Sequence, residues 1–144
     1  MALTKQCRCG VKISIQDTCC SKCVSYYVSK RKEQYKMYDA TKRDKKAASF
    51  YCSKEWLTLR PVIFSKTNYI DIYLYYTKGI ISQADTIHHI VEIKEDWSRR
   101  LDIANLIPLT EKSHRTIHKL YNSNKASTQQ LLFDLLIRWE NEMK

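Results

Sequence analysis

All four histidines of this chain lie within residues 88–118. His88 and His89 are adjacent, and His114 and His118 follow, four residues apart. A histidine side chain can accept a proton near neutral pH, and its neutral ring is a common metal ligand. A lone histidine is more often a core or surface residue, but four in this order are typical of a metal-assisted catalytic site.

A helix is predicted to carry His114 and His118. Thr110 is a favoured N-cap residue, and the sequence from there to Tyr121 contains neither Gly nor Pro. Residues four apart on a helix lie on the same face, so both imidazoles can reach a single ion. A zinc peptidase would use the same spacing, but it needs a glutamate directly after the first histidine, where this chain has Arg115.

An extended segment is predicted to carry His88 and His89. Residues 69–84 are rich in Tyr, Ile and Leu around Thr77–Gly79, which predicts two strands and a turn that lead into the histidine pair. Neighbouring residues on a strand point to opposite faces, so both histidines can serve one site only where the strand ends or bends. Leu106–Leu109 is also expected to be extended, because its proline restricts the residue before it.

Four cysteines near the N-terminus form two close pairs. They are Cys7 with Cys9 and Cys20 with Cys23. The pairs flank a short strand-like link and match the ligand set of a tetrahedral structural zinc site. The alternative is a group of free thiols, and Cys19 is a spare thiol beside the second pair. A zinc-knuckle-like segment over residues 1–27 would be stabilised by its ion, because it is too short to form a core.

Helices are predicted on both sides of the histidine cluster. Residues 28–50 contain neither Gly nor Pro and form one expected helix, and a second follows the N-cap Ser53 until Pro61 interrupts it. A last helix is expected over Ser127–Met143, with Ser127 as its N-cap and Asn122–Lys125 as the turn before it. The residues predicted to pack into the core are Trp56, Leu132, Leu135, Leu136 and Trp139.

The positive charge is concentrated in the first part of the chain. Residues 1–60 contain 14 basic and 5 acidic residues, whereas residues 61–144 contain 11 and 10. A basic surface binds the phosphate backbone of nucleic acid in a salt-dependent way, although a solvated surface explains the same charge. The candidate DNA-binding cations at the end of the first predicted helix are Lys42, Arg43, Lys45 and Lys46.

The sequence does not indicate a membrane protein. No apolar run approaches the roughly 18 residues that cross a bilayer, and the first residues lack the apolar region of a secretion signal. We therefore expect a cytoplasmic protein of about one ordinary domain, with no membrane partner.

The histidine segment resembles a known family of nucleases. Residues 85–118, DTIHHIVEIKEDWSRRLDIANLIPLTEKSHRTIH, are similar to the HNH or ββα-metal endonucleases, and residues 38–60 resemble the helical lead-in of small phage-encoded members. The resemblance covers about residues 35–121. Together with the cysteine pairs, it implies an α+β fold with a ββα-metal core and flanking helices, in which an HNH nuclease domain over residues 28–144 follows the zinc-knuckle-like segment.

The resemblance also implies a role for each site residue. His88 matches the first metal ligand, His89 the general base, Asn105 the asparagine that stabilises the loop, and His114 the ligand at the start of the motif helix. His118 matches a further ligand found in the colicin-like branch. The chain is thus expected to cut DNA, in the host cytoplasm if a phage encodes it, and the phage members suggest that it assists the terminase in genome packaging.

Phosphodiester hydrolysis explains these residue types without reference to a family. Neutral His89 would take a proton from the attacking water, and a divalent ion held by His88, His114 and His118 would act as a Lewis acid. Mg²⁺, Mn²⁺, Ni²⁺ and Zn²⁺ are all compatible with this ligand set. Arg115 is a candidate phosphate contact. The alternative is a non-cleaving, zinc-stabilised DNA-binding module, against which the intact general base argues.

Overall fold

A computed structural model of the chain describes residues 3–41 and 44–143. Two of the predicted DNA-binding residues, Lys42 and Arg43, therefore lie outside the described residues. The chain divides into two compact units, Met1–Lys45 and Lys46–Lys144. Of the helices in the described part, none combines the length and the apolar character needed to cross a membrane.

The first unit consists of two short strands and a long helix. Strand β1 (Thr4–Gln6) pairs antiparallel with β2 (Lys12–Ser14), and helix α1 (Ser21–Thr41) follows. Gly10 has a positive φ of 87°, a conformation that glycine adopts without strain, and its N–H donates to the Cys7 carbonyl at 2.8 Å. Over residues 3–40 of this unit, Cys7 is the one buried side chain. The domain boundary predicted after residue 27 falls inside α1, and it stays a prediction.

The lead-in contains more helices than the sequence predicts. The single helix expected over residues 28–50 is wrong, because Asp44 lies outside both α1 and helix α2 (Lys45–Tyr51). Ser53 is the N-cap of helix α3 (Lys54–Lys66), as predicted, and its side chain accepts from the Trp56 N–H. Pro61 does not interrupt this helix but lies inside it. The lost backbone hydrogen bond is outweighed by burial of the apolar side chains of α3. Those side chains are Trp56, Ile63 and Phe64.

The hairpin predicted over residues 69–84 is also wrong. This region contains helix α4 (Ile72–Lys78) and only an isolated bridge between Ile70 and Gln83. Asp71 caps the helix by accepting from the Leu74 N–H at 2.8 Å, and Gly79 ends it in the left-handed conformation with φ 65°. The glycine that suggested a hairpin turn is therefore a helix C-cap, which uses the same conformational freedom.

The central sheet has two antiparallel strands. Strand β3 (Thr86–His89) pairs with β4 (Leu106–Leu109), so the extended conformation predicted for Leu106–Leu109 is confirmed. Side chains from α2 and α3 pack around Ile87 and Leu106, while those of α4 and the last helix pack around Ile107 and Leu109. Burial on both faces holds the short hairpin in place, since a two-stranded sheet alone is marginally stable.

Helix α5 (Glu111–Glu142) joins the two C-terminal helices that the sequence predicts. Thr110 is its N-cap, as predicted, and the helix is kinked at Asn124, where φ is −154° and ψ is 91°. The Asn124 side chain accepts from the Ser127 N–H at 3.1 Å, so Asn124 and not Ser127 caps the second part. The predicted core residues of this part are buried, namely Leu132, Leu135, Leu136 and Trp139.

Candidate metal-dependent active site

The end of strand β3 places two histidines at one cavity. His88 and His89 point to opposite faces of the hairpin, where the His88 ring contacts Tyr121 and the His89 ring contacts Trp56. The strand ends at His89, and a cavity of about 250 Å³ at this end is lined by both residues. The condition derived from strand geometry, that the strand must end or bend here, is therefore met.

Three imidazoles converge at this cavity. One ring nitrogen from each of His88, His114 and His118 lies within 4.8 Å of the other two. The Nε2 atoms of His114 and His118 are 3.1 Å apart. Two nitrogens bound to one tetrahedral ion at ordinary bond lengths lie roughly 3.3 Å apart. The three side chains therefore fit a divalent cation with little rearrangement.

Tyr121 fixes the orientation of the His88 ring. The Tyr121 hydroxyl donates to the Ile90 carbonyl at 2.7 Å, and the same oxygen lies 3.0 Å from His88 Nε2. Since the only hydroxyl proton is already used, we assign the proton between the two side chains to Nε2 of His88. Nδ1 of His88 is then left with its lone pair, as a metal ligand requires.

Burial favours the neutral form of the His88 and His114 rings by lowering the pKa of each. Desolvation, followed by the positive charges that His114 and His118 would carry, lowers the pKa of His88 to about 3. The pKa of His114 is also lowered, again mainly by desolvation and then by His118. A metal ion competes with protons for the same lone pairs, so a low pKa in the free chain favours metal binding near neutral pH.

Carboxylates face the outer nitrogens of the helix histidines. Glu92 Oε1 lies 3.7 Å from Nδ1 of His118, and Glu111 Oε2 lies 3.9 Å from Nδ1 of His114. Glu92 is held in turn by Lys125, whose Nζ is 2.5 Å from Glu92 Oε2. Carboxylates at this position orient histidine ligands and raise their basicity in metal proteins.

His89 lies on the other side of the cavity and is held by aromatic rings and a carbonyl. Its ring stacks on Trp56, with centroids 5.2 Å apart and 26° between the planes. Nε2 lies 2.9 Å from the Arg100 carbonyl, which can only accept, so Nε2 carries the proton and Nδ1 carries the lone pair. The Tyr51 hydroxyl is 3.4 Å from Nδ1. Burial lowers the pKa of His89, so the neutral form that can accept a proton predominates at neutral pH.

Asn105 closes the loop that follows β3. Its side chain is fully buried, accepts from the Val91 N–H at 2.7 Å and donates to the Val91 carbonyl at 3.0 Å. The Ile90 N–H donates to the backbone carbonyl of Asn105 at 2.9 Å. These bonds join residues 90 and 91 to residue 105, which fixes the backbone directly after the two histidines.

The remaining basic residues predicted to bind DNA do not line the cavity. Arg115 is 73% exposed and pairs with Glu111 at 3.0 Å. The Lys46 ammonium lies 4.1 Å above the Trp97 ring, and Lys45 is exposed at the end of the first unit.

Comparisons with known proteins agree with this geometry. A family model described as HNH endonuclease matches residues 77–120, which contain β3, β4 and the start of α5. Among solved structures, the HNH endonuclease of deep-sea thermophilic bacteriophage GVE2, crystallised with manganese ion, matches with 33% sequence identity and a TM-score of 0.51. The match covers 62% of this chain and 97% of that one. No curated protein sequence matches the chain.

The chain belongs to the HNH endonuclease family. The α+β fold with an HNH core is thus confirmed, and the chain is a nuclease, an enzyme of the hydrolase class. HNH endonucleases use a divalent metal and act on DNA. The phage structure is matched over almost its whole length, and the rest of this chain lies outside the match.

Several polar residues of this HNH site are not predicted from the sequence. They are Tyr51, Glu92, Lys94 and Lys125 around the cavity and Tyr121 behind His88. Tyr121 had a usable signal, because it follows His118 by three residues and His114 by seven and so lies on the same helix face. Lys125 follows Tyr121 by four residues on the same helix, so it had a similar signal. Tyr51 lies on α2, and Glu92 and Lys94 lie in the loop after β3, so only the fold brings these three residues to the cavity.

The cysteines of the first unit form a second candidate metal site in this HNH protein. One sulfur each from Cys7, Cys9, Cys20 and Cys23 lies within 4.8 Å of the others. Sulfurs bound to one tetrahedral zinc ion are roughly 3.8 Å apart, so the four thiols fit such an ion. The Cys20 N–H donates to the Cys7 sulfur at 3.3 Å. This hydrogen bond is the largest of the effects that lower the pKa of Cys7 to about 5, which favours the thiolate. Cys19 Sγ also lies 3.3 Å from Cys7 Sγ.

Proposed function

We propose that this protein is a DNA endonuclease in which His89 is the general base and His88, His114 and His118 hold the divalent ion. The products would be 5′-phosphate and 3′-hydroxyl ends. The observation that carries this proposal is that all four histidines line one cavity, with the unprotonated nitrogen of His89 separate from the ligand cluster.

Three imidazole ligands favour a divalent ion that is neither very hard nor very soft. A bound ion would supply Lewis-acid stabilisation of the charge on the phosphate and the leaving oxygen. Imidazole ligands are compatible with Mn²⁺, Ni²⁺ and Zn²⁺, and Mg²⁺ is also used in phosphoryl chemistry. The related phage enzyme was crystallised with manganese ion, which makes Mn²⁺ the first ion to test.

His89 is arranged to take the proton of the attacking water. Its Nδ1 carries the lone pair, which the Tyr51 hydroxyl approaches at 3.4 Å and which the attacking water would take over. The Nε2–H donates to the Arg100 carbonyl and stabilises the positive charge that develops on the ring. The stack on Trp56 restricts rotation of the ring, so Nδ1 keeps one direction relative to the cavity. Asn105 acts indirectly by holding the backbone after β3, and it is a positioning residue.

Basic residues outside the cavity would bind the flanking DNA backbone. Lys45 and Lys46, together with Lys42 and Arg43, form the proposed contact before the nuclease core, and Arg115 forms one beside the helix histidines. Such contacts give affinity that falls with salt and carry little sequence information. We also propose that the cysteine cluster holds a structural zinc ion. A further proposal is that the enzyme assists a phage terminase, and this role rests on the resemblance to phage enzymes alone.

The test is cleavage of supercoiled plasmid by the purified protein with Mg²⁺, Mn²⁺, Ni²⁺ or Zn²⁺. We expect cleavage by the wild type, and a loss of about 10²- to 10⁴-fold in His89→Ala, which removes the general base. His114→Ala should lose both activity and one equivalent of bound Mn²⁺. Cleavage that persists in His89→Ala would remove the general-base assignment. A wild type that retards DNA on a gel without cutting it in any ion would establish the binding-module alternative.

A further inference from the structure

The active-site cavity is lined by one cation to which the mechanism above gives no role. Lys94 lies in the loop between β3 and β4 and lines the same cavity as all four histidines. We propose that the Lys94 ammonium binds the non-bridging oxygens of the scissile phosphate and stabilises the charge that builds up during attack. This inference rests on the proposed function, because it names a further catalytic residue of the same site.

Two other cations near the cavity, Lys125 and Arg115, are already paired with carboxylates. Lys125 Nζ lies 2.5 Å from Glu92 and 2.7 Å from Glu95, and Arg115 Nε lies 3.0 Å from Glu111. Lys94 is exposed, and within residues 3–41 and 44–143 no carboxylate pairs with it. Its charge is therefore available to a ligand. A phosphodiester carries one negative charge, and attack by water adds a second.

The loop holds Lys94 in a defined place. Ile93, the preceding residue, is buried in the core cluster around Trp56, so the backbone cannot swing outward without exposing it. Two hydrogen bonds between Glu92 and Glu95 close the turn around Lys94, one from the Glu95 N–H to the Glu92 carbonyl at 2.8 Å and one from the Glu92 N–H to the Glu95 carboxylate at 3.1 Å. A catalytic cation gains most when it is held in place before the substrate binds.

The sequence did not single out Lys94, for a simple reason. It lies between Glu92 and Glu95 in a charged stretch and looks like one solvated residue among several. Arg115, which the sequence favoured as the phosphate contact, follows a ligand histidine directly, but the helix turns its side chain away from the cavity lining.

The experiment compares Lys94→Met with the matched control Lys66→Met. Lys66 is also exposed, but it lines a different groove with Ile63 and Trp139. In Mn²⁺, we expect Lys94→Met to lower kcat/KM about 10- to 100-fold, mostly through kcat, because the interaction is stronger in the transition state. Lys66→Met should match the wild type. Lys94→Arg should recover most of the activity, and Mn²⁺ affinity should be the same in Lys94→Met and the wild type.

A chemically modified substrate makes the test specific for the phosphate. In a short duplex whose cleavage position has been mapped, a methylphosphonate at that linkage removes the charge of one non-bridging oxygen. The ratio between wild type and Lys94→Met should fall towards one on this substrate. An active wild type with equal rates for Lys94→Met and Lys66→Met overturns the Lys94 proposal alone. An undiminished ratio on the methylphosphonate duplex does the same, and a wild type without cleavage overturns both proposals.

Discussion

The two clusters of metal-ligating side chains differ in what surrounds them. The cysteine cluster belongs to a unit in which Cys7 is the one buried side chain over residues 3–40. The histidine cluster lies between a hairpin and a helix whose apolar side chains, such as Ile107 and Ile117, are completely buried. In the first unit the ion would itself replace a core, whereas in the second the fold already exists and the proposed ion would serve chemistry.

The surroundings of the ligand atoms show the same contrast. The thiols contact each other and backbone N–H groups, as between Cys20 and Cys7. The imidazoles instead have partners on separate elements, such as Tyr121 for His88 and Glu92 for His118. A catalytic site needs ligands that keep their orientation when the ion exchanges substrate and water. A structural site needs only a closed set of ligands.

Removal of metal from both candidate sites should have the largest effect and tests this contrast. We expect the first unit to lose its structure, because zinc binding contributes on the order of 10 kcal/mol to folding in small cysteine sites. Hydrogen exchange should then show unprotected amides in β1 and β2, with unchanged protection in β3 and β4. Cys20→Ser should have the same effect without a chelator. If chelation also exposes β3 and β4, the histidine cluster holds its unit together through the ion, and the contrast is wrong.

Removal of one hydroxyl should weaken the histidine site while the fold stays intact. Tyr121→Phe deletes the oxygen that holds His88 Nε2 and leaves the Ile90 carbonyl without that donor. Loss of such a partner typically lowers metal affinity about 10- to 100-fold, which a Mn²⁺ titration by calorimetry can measure. Tyr76→Phe is the matched control, because its hydroxyl bonds to Glu142 and to none of the histidines. Equal affinities in the two variants would show that packing alone orients His88.

The sequence predicts which side chains cluster at the two candidate sites better than it predicts the elements that carry them. Order and spacing indicate His88, His114 and His118, since helix periodicity and the end of a strand are local properties. The region before His88 is misread because Gly79 serves a helix C-cap as well as it serves a hairpin turn. The sequence also does not indicate that the Asp71 carboxylate links two parts of the fold. Besides capping α4, it accepts from the Thr110 N–H at 2.7 Å, which comes from a distant part of the chain.

Acid should destabilise the histidine unit in the chelated protein. The pKa of His88 is lowered to about 3, against 6.5 for an ordinary histidine, so the unfolded state binds the proton more readily. Stability is therefore complete above about pH 6.5 and declines as the pH falls from there towards 3, by at most about 1.4 kcal/mol per pH unit for this residue. Urea unfolding of the chelated protein at pH 7.5, 6.0 and 5.0 measures this slope. His88→Asn should reduce it, and an unchanged slope would exclude His88 as its source.

The smallest effect is expected at Arg115, which follows His114 but does not line the cavity. Arg115 already pairs with Glu111 and is 73% exposed, so a DNA phosphate would replace one partner by another and gain little. Arg115→Ala should weaken DNA binding at most about 3-fold at low salt and lower the slope of log K against log salt by about one, without a change in kcat. Fluorescence anisotropy with an inactive His89→Ala background separates this binding term from cleavage. A kcat loss in Arg115→Ala as large as that in Lys94→Met would place both cations on the reacting phosphate, because contacts with flanking backbone contribute equally to the bound substrate and the transition state.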